Sequence, residues 1–325
     1  YTTEQGPVLG AEFRHRLAKG EYYVKGVGVY QFEPDDLPAP GNERWRGWVR
    51  TEGEFAINRR WKWGWDGTVV SDDTFGREYD FDERTEIANY IYLDGIHDRN
   101  YATIRAYQFQ GLLQTDNQDT FPTAAPYFRH DYTFDFPVLG GELGLNTDIY
   151  SLFRDRSFVA YDTNPQTLDV VQGTRQLRAT TQLHWRKEIV TDPGVIITPF
   201  GRVRADLLLS NSVPEQEVVN ADPAPTFGEE DDGRILPSGG VDIRLPLLKV
   251  DGKGTPVLTP IAQIISSRDV GDISEWGNED SISRNYATTN WFLEIRFTGN
   301  DRYVGGTRVN AGFLYTLGFA NGGSF

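Results

Sequence analysis

The chain has 325 residues, long enough for two ordinary domains or one large all-β unit. Its formal net charge of −15, from 47 acidic against 32 basic residues, excludes the cationic footprint that a nucleic-acid partner requires. The absence of Cys excludes disulfides and thiolate metal sites within the chain and leaves the compartment open.

No run approaches the roughly 18 apolar residues of a membrane helix, and a mean hydropathy of −0.49 would ordinarily indicate a soluble chain. That inference fails for a β-barrel, where only every second residue meets lipid. The opening YTTEQG carries neither the basic nor the apolar region of a secretory leader, which fits a mature form, a fragment or a cytoplasmic chain.

Taken in chain order, the sequence shows no convincing helical window, and strand-like alternation recurs along almost its whole length. Leu9, Ala11, Phe13 and Leu17 alternate with Glu12, Arg14 and Arg16. Trp45, Val49, Phe55 and Ile57 oppose Arg46, Arg50, Glu52, Glu54 and Asn58, with Trp48 on the polar side. Phe128, Tyr132, Phe134 and Phe136 oppose Arg129, Asp131 and Asp135, and Leu177, Ala179, Leu183 and Trp185 oppose Arg178, Gln182, His184 and Arg186. Val203, Ala205, Leu207 and Leu209 oppose Arg202, Arg204 and Asp206. Val241, Ile243 and Leu245 oppose Asp242 and Arg244, and Trp291, Leu293, Ile295 and Phe297 oppose Glu294 and Arg296. Near the C-terminal end, Val309, Ala311, Phe313, Tyr315 and Leu317 form one more apolar face.

Weaker windows at 22–32, 62–70, 88–95, 101–110, 142–151 and 257–265 bring the expected total to about fourteen strands. Several reach the length of about 9–11 residues with which a tilted strand crosses a bilayer. Long turn-rich connections, at 34–43, 114–126, 162–173, 211–233 and 268–280, alternate with short ones such as 19–20 and 139–141. That asymmetry, together with Trp and Tyr at strand ends in WKWGW (61–65) and NYIYL (89–93), predicts an antiparallel transmembrane β-barrel with aromatic girdles. The acidic GEEDDG (228–233) lacks the spaced ligands of a Ca²⁺ loop and is expected to be a solvated loop, and 211–233 as a whole an external loop.

The motifs carry little enzymatic chemistry. The four His residues share no metal-binding spacing, and there is no nucleophile elbow, phosphate loop or dinucleotide fingerprint. A pair of carboxylates working as a glycosidase is conceivable, but no pair stands out. No cofactor is expected, and the chain is read as a non-enzyme.

Several stretches together have a more specific likeness. WGWDGTVVSDDTFGREYDF (63–81), RNYATIRAYQFQGL (99–112), FPTAAPYF (121–128), PVLGGELGLNTDIYSLFRD (137–155), TPFGRVRADLL (198–208), NEDSIS (278–283) and RFTGNDRYVGGTRVNAGFLYT (296–316) resemble, in this order, the barrel domain of the lipopolysaccharide-assembly protein LptD, also called OstA, particularly its alphaproteobacterial members. Asp66, Ser71, Asp72, Asp301, Arg302, Gly305, Gly306 and Arg308 fall in these pieces.

The resemblance implies an outer-membrane translocon component that takes lipopolysaccharide from periplasmic transport proteins and places it in the outer leaflet, with a lipoprotein plug (LptE-type) in the lumen and outer-membrane lipids outside. It implies that 1–325 is a partial barrel domain, without the family's jellyroll and closing strands. NDRYVGGTR becomes the turn and strand start of one hairpin, with Arg308 toward the lumen. Arg46, Glu52, Arg178, Arg202, Arg204 and Asp206 become lumen-lining candidates, and Pro7 a candidate weak point of a gate strand, since it removes a ladder donor. A Pro at an ordinary strand start is the plainer reading. A general porin or receptor barrel, and a soluble all-β carbohydrate-binding protein, remain the alternatives. A small closed barrel would be marked by a ladder between 9–17 and 308–318.

Overall fold

The computed structural model describes residues 6–34, 41–156, 158–161, 168–172, 174–211, 229–249, 254–269, 279–281 and 290–319. Period-2 sequence gives strand almost throughout: β1 (Val8–Leu17), β2 (Gly20–Tyr30), β3 (Trp45–Ala56), β4 (Trp61–Val70), β5 (Glu86–His97), β6 (Asn100–Gly111), β7 (Thr123–Thr133), β8 (Glu142–Phe153), β9 (Phe158–Tyr161), β10 (Leu168–Gln172), β11 (Arg175–Arg186), β12 (Ile189–Val190), β13 (Ile196–Asn211), β14 (Glu229–Arg244), β15 (Leu247–Leu248), β16 (Gly254–Ser267) and β17 (Gly306–Phe319). Among the described residues, helix is limited to α1 (Phe75–Glu78), a 3₁₀ turn at Gln118–Thr120 and a 3₁₀ position at Pro34.

Among the described residues, fifteen strands form one antiparallel sheet, in which β1 to β8 follow chain order and continue through β11, β13, β14, β16 and β17. The two-residue β12 and β15 lie on β13 and β16, and β9 and β10 pair separately. Among the described residues no ladder joins β1 to β17, so the pairing that would mark a small closed barrel is not formed.

Because neighbours run antiparallel, the connections sort by end. Those at 18–19, 57–60, 98–99, 134–141, 187–195 and 245–253 lie at one end, and the longer ones at 31–44, 71–85, 112–122, 154–174, 212–228 and 268–305 at the other. Short turns at one end and long loops at the other are the pattern of outer-membrane barrels.

The register keeps two chemically distinct faces. Across three strands, Ile149, Ala179 and Leu207 form one row on the apolar face, while Asp148, Thr180 and Asp206 form the next row on the polar face. A slip of one residue would exchange them. Val203 and Leu207 are 49% and 47% exposed, whereas Arg204 and Asp206 are buried. Leu9, Phe13, Val49, Val69, Ile235, Val309 and Phe313 are also exposed on the apolar side. Such a continuous greasy surface is incompatible with water and suited to lipid.

Aromatic side chains bracket this face. At the long-loop end Tyr30 lies 4.8 Å from Trp45 and 6.0 Å from Phe32. At the short-turn end Phe55 stacks on Trp63 at 5.3 Å and on Trp65 at 5.9 Å. Gly53 makes room there, since a Cβ on it would fall 2.5 Å from the Trp65 ring. Trp45 and Phe55 are ten residues apart on β3, about 33 Å along an extended strand, which a tilt of about 35–45° reduces to about 25 Å. That is the height of the apolar band of an outer-membrane barrel.

Four expectations need correction. Trp291–Phe297 alternates but is not a strand: the carbonyls of Phe292, Leu293 and Glu294 accept from the Gln263 and Arg308 side chains instead of from a neighbouring ladder. The acidic run is not wholly loop, because β14 begins at Glu229, and Asn211 to Leu207 pair with Glu229 to Gly233. Charges are tolerated in that stretch because these strands extend 16 residues, beyond what a bilayer crossing needs. Residues 212–228 lie outside the described residues. The connection at 162–173 contains a strand, β10, paired with β9. Finally, NDRYVGGTR does hold the strand start of the β16–β17 hairpin, with β17 beginning at Gly306, but no tight turn: φ of +88° at Gly306 leads the chain into the strand from a long connection whose last residues pack on the polar face.

Candidate functional site

Two of the long connections fold back over the polar face, and each is held there by buried arginines projecting from strands. The first is 71–85, between β4 and β5. Arg46 on β3 is fully buried and donates to both carboxylate oxygens of Asp72 at 2.8 Å, to Glu78 at 2.7 Å and to the Thr74 hydroxyl at 2.9 Å. Its guanidinium also sits 5.4 Å from the Phe75 ring and 5.6 Å from the Tyr79 ring. Phe75 completes the contact, packing with Val27, Val29 and Trp48 in a buried cluster.

Asp72 organises the turn itself. It accepts from the Ser71 hydroxyl at 2.8 Å, the Thr74 hydroxyl at 2.8 Å and the Phe75 amide at 3.0 Å, while Ser71 accepts from the Gly47 amide on β3 at 3.0 Å. Burial alone would raise its carboxyl, but the hydrogen bonds from Arg46, Thr74 and Ser71 outweigh that and hold it at about 2. Asp73, without such donors, is pushed up by burial and by neighbouring Asp72. Asp82 is held down by Arg84, which chelates it at 2.8 Å and 3.0 Å.

The second folded-back segment is the described part of 279–304, residues 279–281 and 290–304, two interlocked pieces. Asp280 accepts from the Asn300 and Asp301 amides at 3.0 Å, Ser281 accepts from the Asp301 and Arg302 amides at 3.0 Å and 3.1 Å, and Asp301 accepts from the Glu279 and Asp280 amides at 2.7 Å and 2.8 Å. Gly299, at φ +64°, permits the close pass of the two pieces.

This unit docks on strand arginines. Arg178 on β11 is fully buried, pairs with Asp301, reaches Asp280 at 2.7 Å and Asp148 at 3.7 Å, and lies 4.3 Å from the Tyr150 ring centre. Arg154 pairs with Glu279 at 2.7 Å. Arg204 and Arg234 share Asp206 at 2.7 Å each, and both donate to the Asn300 carbonyl. Arg202 pairs with Glu294.

The residues singled out from sequence therefore separate into groups. Arg46, Ser71 and Asp72 meet in the first docking site, and Arg178, Arg204, Asp206 and Asp301 in the second. Arg202 lies beside the second through Glu294. Asp66 pairs with Arg50 at 3.0 Å, and Glu52 accepts from Tyr23 at 3.2 Å, on the polar face away from both. Arg302 is tied through its amide to Ser281; Gly305 closely approaches the Arg268 carbonyl; and Arg308 lies on the polar side and holds the Leu293 and Glu294 carbonyls. Pro7 precedes β1, its carbonyl accepting from the Tyr30 amide at 3.3 Å.

Sequence reasoning missed Arg154, Arg234, Tyr150, Glu279, Asp280 and Ser281. Tyr150 and Arg154 lie in 137–155, and Glu279, Asp280 and Ser281 in NEDSIS, both stretches of the family likeness to which no role was attached, whereas Arg234 lies in none of those stretches. The arrangement is that of a two-faced sheet whose polar face is partly covered by its own loops; among the described residues no three His, Asp or Glu side chains converge on a metal position.

A search of curated proteins returned no match to the chain. The model of the family described as LptD, LPS transport system D, matches residues 44–325, a span containing both folded-back segments and every strand from β3 onward, and the chain belongs to that family of outer-membrane lipopolysaccharide-transport proteins.

Proposed function

We propose that residues 1–325 form the barrel portion of the translocon that inserts lipopolysaccharide into the outer leaflet. The observation that carries this reading, beside the family match, is a polar face lined with paired charges behind an apolar face of bilayer height. In this reading the polar face is the lumen wall, and Arg46, Glu52, Arg178, Arg202, Arg204 and Asp206 project from it, Glu52 into water and the arginines and Asp206 into ion pairs under the folded-back segments, which keeps the cost of charge low. The short-turn end faces the periplasm and receives lipid from periplasmic transport proteins. A lipoprotein of the LptE type occupies lumen not covered by 71–85 and 279–304. Pro7 marks a weakly paired position, because an antiparallel partner of Tyr30 with an amide proton would return a second hydrogen bond there. The chain makes and breaks no bond.

Depletion of the protein in its native cell tests this. Newly made lipopolysaccharide should fail to reach the cell surface, and a lipoprotein should copurify with the tagged protein in detergent. Normal surface lipopolysaccharide after depletion, with loss of small-solute permeability instead, would replace the reading with a general porin.

A further inference from the structure

On the polar face at the short-turn end, the 18–19 and 57–60 turns border a cleft of about 570 Å³, within the usual size range of ligand sites. Lys19, Arg59 and Arg60 line it, and their exposed side chains meet no carboxylate among the described residues. The other two cations of the cleft are already engaged, Lys62 with Glu54 at 2.8 Å and Arg16 with Glu21 at 4.0 Å. The cleft's five cations stand against three lining carboxylates, Glu21, Glu54 and Asp94, which leaves a local excess of two positive charges in a chain of net charge −15.

The turns that carry them are fixed. Asn58 accepts from the Arg60 and Trp61 amides at 2.8 Å and 3.0 Å, the Lys19 carbonyl accepts from the Ala56 amide at 2.7 Å, and the Arg60 carbonyl from the Ile96 amide at 2.9 Å. The cleft also has an apolar border of Leu17, Trp61 and Ile96, each more than a third exposed. Cations beside exposed apolar side chains at the level of the lower aromatic cluster suit a ligand that is anionic at one end and fatty at the other.

We propose that this cleft binds the phosphate groups of a glycolipid headgroup at the short-turn mouth of the sheet, with Arg59 and Arg60 as the phosphate forks and Lys19 as a third charge. The proposal rests on the lipopolysaccharide-transport reading and supplies it with an entry site. A phosphomonoester carries a charge of about −1.5 to −2 near neutral pH, so two of them answer three cations better than one phosphodiester does. Guanidinium forks bind such groups bidentately.

The test measures binding to the full chain in nonionic detergent, using four probes: bisphosphorylated lipopolysaccharide, the same lipid after phosphatase treatment, phosphatidylglycerol, and inorganic phosphate. Phosphatase treatment should weaken binding about tenfold or more, as loss of charge-assisted bonds predicts. The combined variant Lys19→Ala, Arg59→Ala, Arg60→Ala should bind both lipid forms equally weakly, with its strand circular dichroism intact. The charge-preserving pair Arg59→Lys, Arg60→Lys should retain part of the preference. A phosphate preference that survives the triple alanine variant overturns the site, as does competition by phosphatidylglycerol or inorganic phosphate at concentrations equal to those of the glycolipid. Phosphate-independent lipopolysaccharide binding defeats this site and leaves the transport reading standing; binding of neither lipopolysaccharide form, with normal surface lipopolysaccharide on depletion, defeats both.

Discussion

The two folded-back segments solve the same problem over different distances along the chain. The 71–85 segment follows β4 and is held by β3, so Arg46 and Asp72 are 26 residues apart and share a hairpin. The 279–304 segment precedes β17 yet is held by β8, β11, β13 and β14; Tyr150 and Asp301 meet across 151 residues. A local clasp forms once one hairpin exists and stabilises that hairpin. A long-range clasp costs more loop-closure entropy, forms only after the intervening strands are in register, and reports on the assembly of the whole sheet.

The largest expected effect breaks the long-range clasp. Arg178→Ala leaves Asp301, Asp280 and Asp148 without their shared cation in a buried setting, which should cost about 3–5 kcal/mol, read as a lower denaturant midpoint and protease cutting within 279–304. The double variant with Asp301→Asn should cost less than the sum of the two single changes, because the pair acts as a unit.

Arg46→Ala breaks the local clasp and should sit near the low end of that range, about 3 kcal/mol, because Asp72 keeps its Ser71, Thr74 and Phe75 donors. Hydrogen exchange should rise in 71–85 and leave 279–304 protected. Equal loss of protection in both segments would show that the two clasps are one cooperative unit.

The local clasp should also be acid-sensitive in a defined window. Asp72 is held at about 2, below its ordinary value near 4. A depressed carboxyl contributes stability that is fully present above the unfolded value and is lost as pH falls through the folded one. The loss should therefore run from about pH 4 to about pH 2 and amount to about 2 kcal/mol, and Asp72→Asn should flatten that part of the stability profile.

The smallest change is Ser71→Ala. It removes one hydrogen bond to Asp72 and one from the Gly47 amide, and should cost about 1 kcal/mol, visible as slightly faster exchange at Gly47 alone.

How far sequence carried the reading follows the same division. The strands and their two faces were legible because a period of two is written residue by residue, and Val203 against Arg204 needs no knowledge of any partner. The first clasp was half legible: Arg46, Ser71 and Asp72 were singled out, but not that α1 seats Phe75 beneath the arginine. The second clasp was not. Asp301 and Arg178 were both picked, in separate roles, because nothing in a sequence reports that residues 123 positions apart will touch. Trp291–Phe297 shows the converse. Alternation states which side chains could share a face; whether the backbone finds a ladder depends on what competes for its carbonyls, here Arg308 and Gln263.

The spacing of Trp45 and Phe55 has a consequence for where the protein can reside. Two clusters of aromatic side chains set about 25 Å apart match a thin hydrocarbon layer. In a bilayer of about 30 Å the same sheet would leave several ångströms of lipid chain facing headgroup-seeking aromatics, at a fraction of a kcal/mol for each ångström of mismatch on a perimeter of many strands. Bilayer thickness therefore acts as a sorting signal carried by strand length and ring position, with no recognition motif, and lengthening β2, β3 and β4 by two residues each should shift the protein's preference toward thicker vesicles.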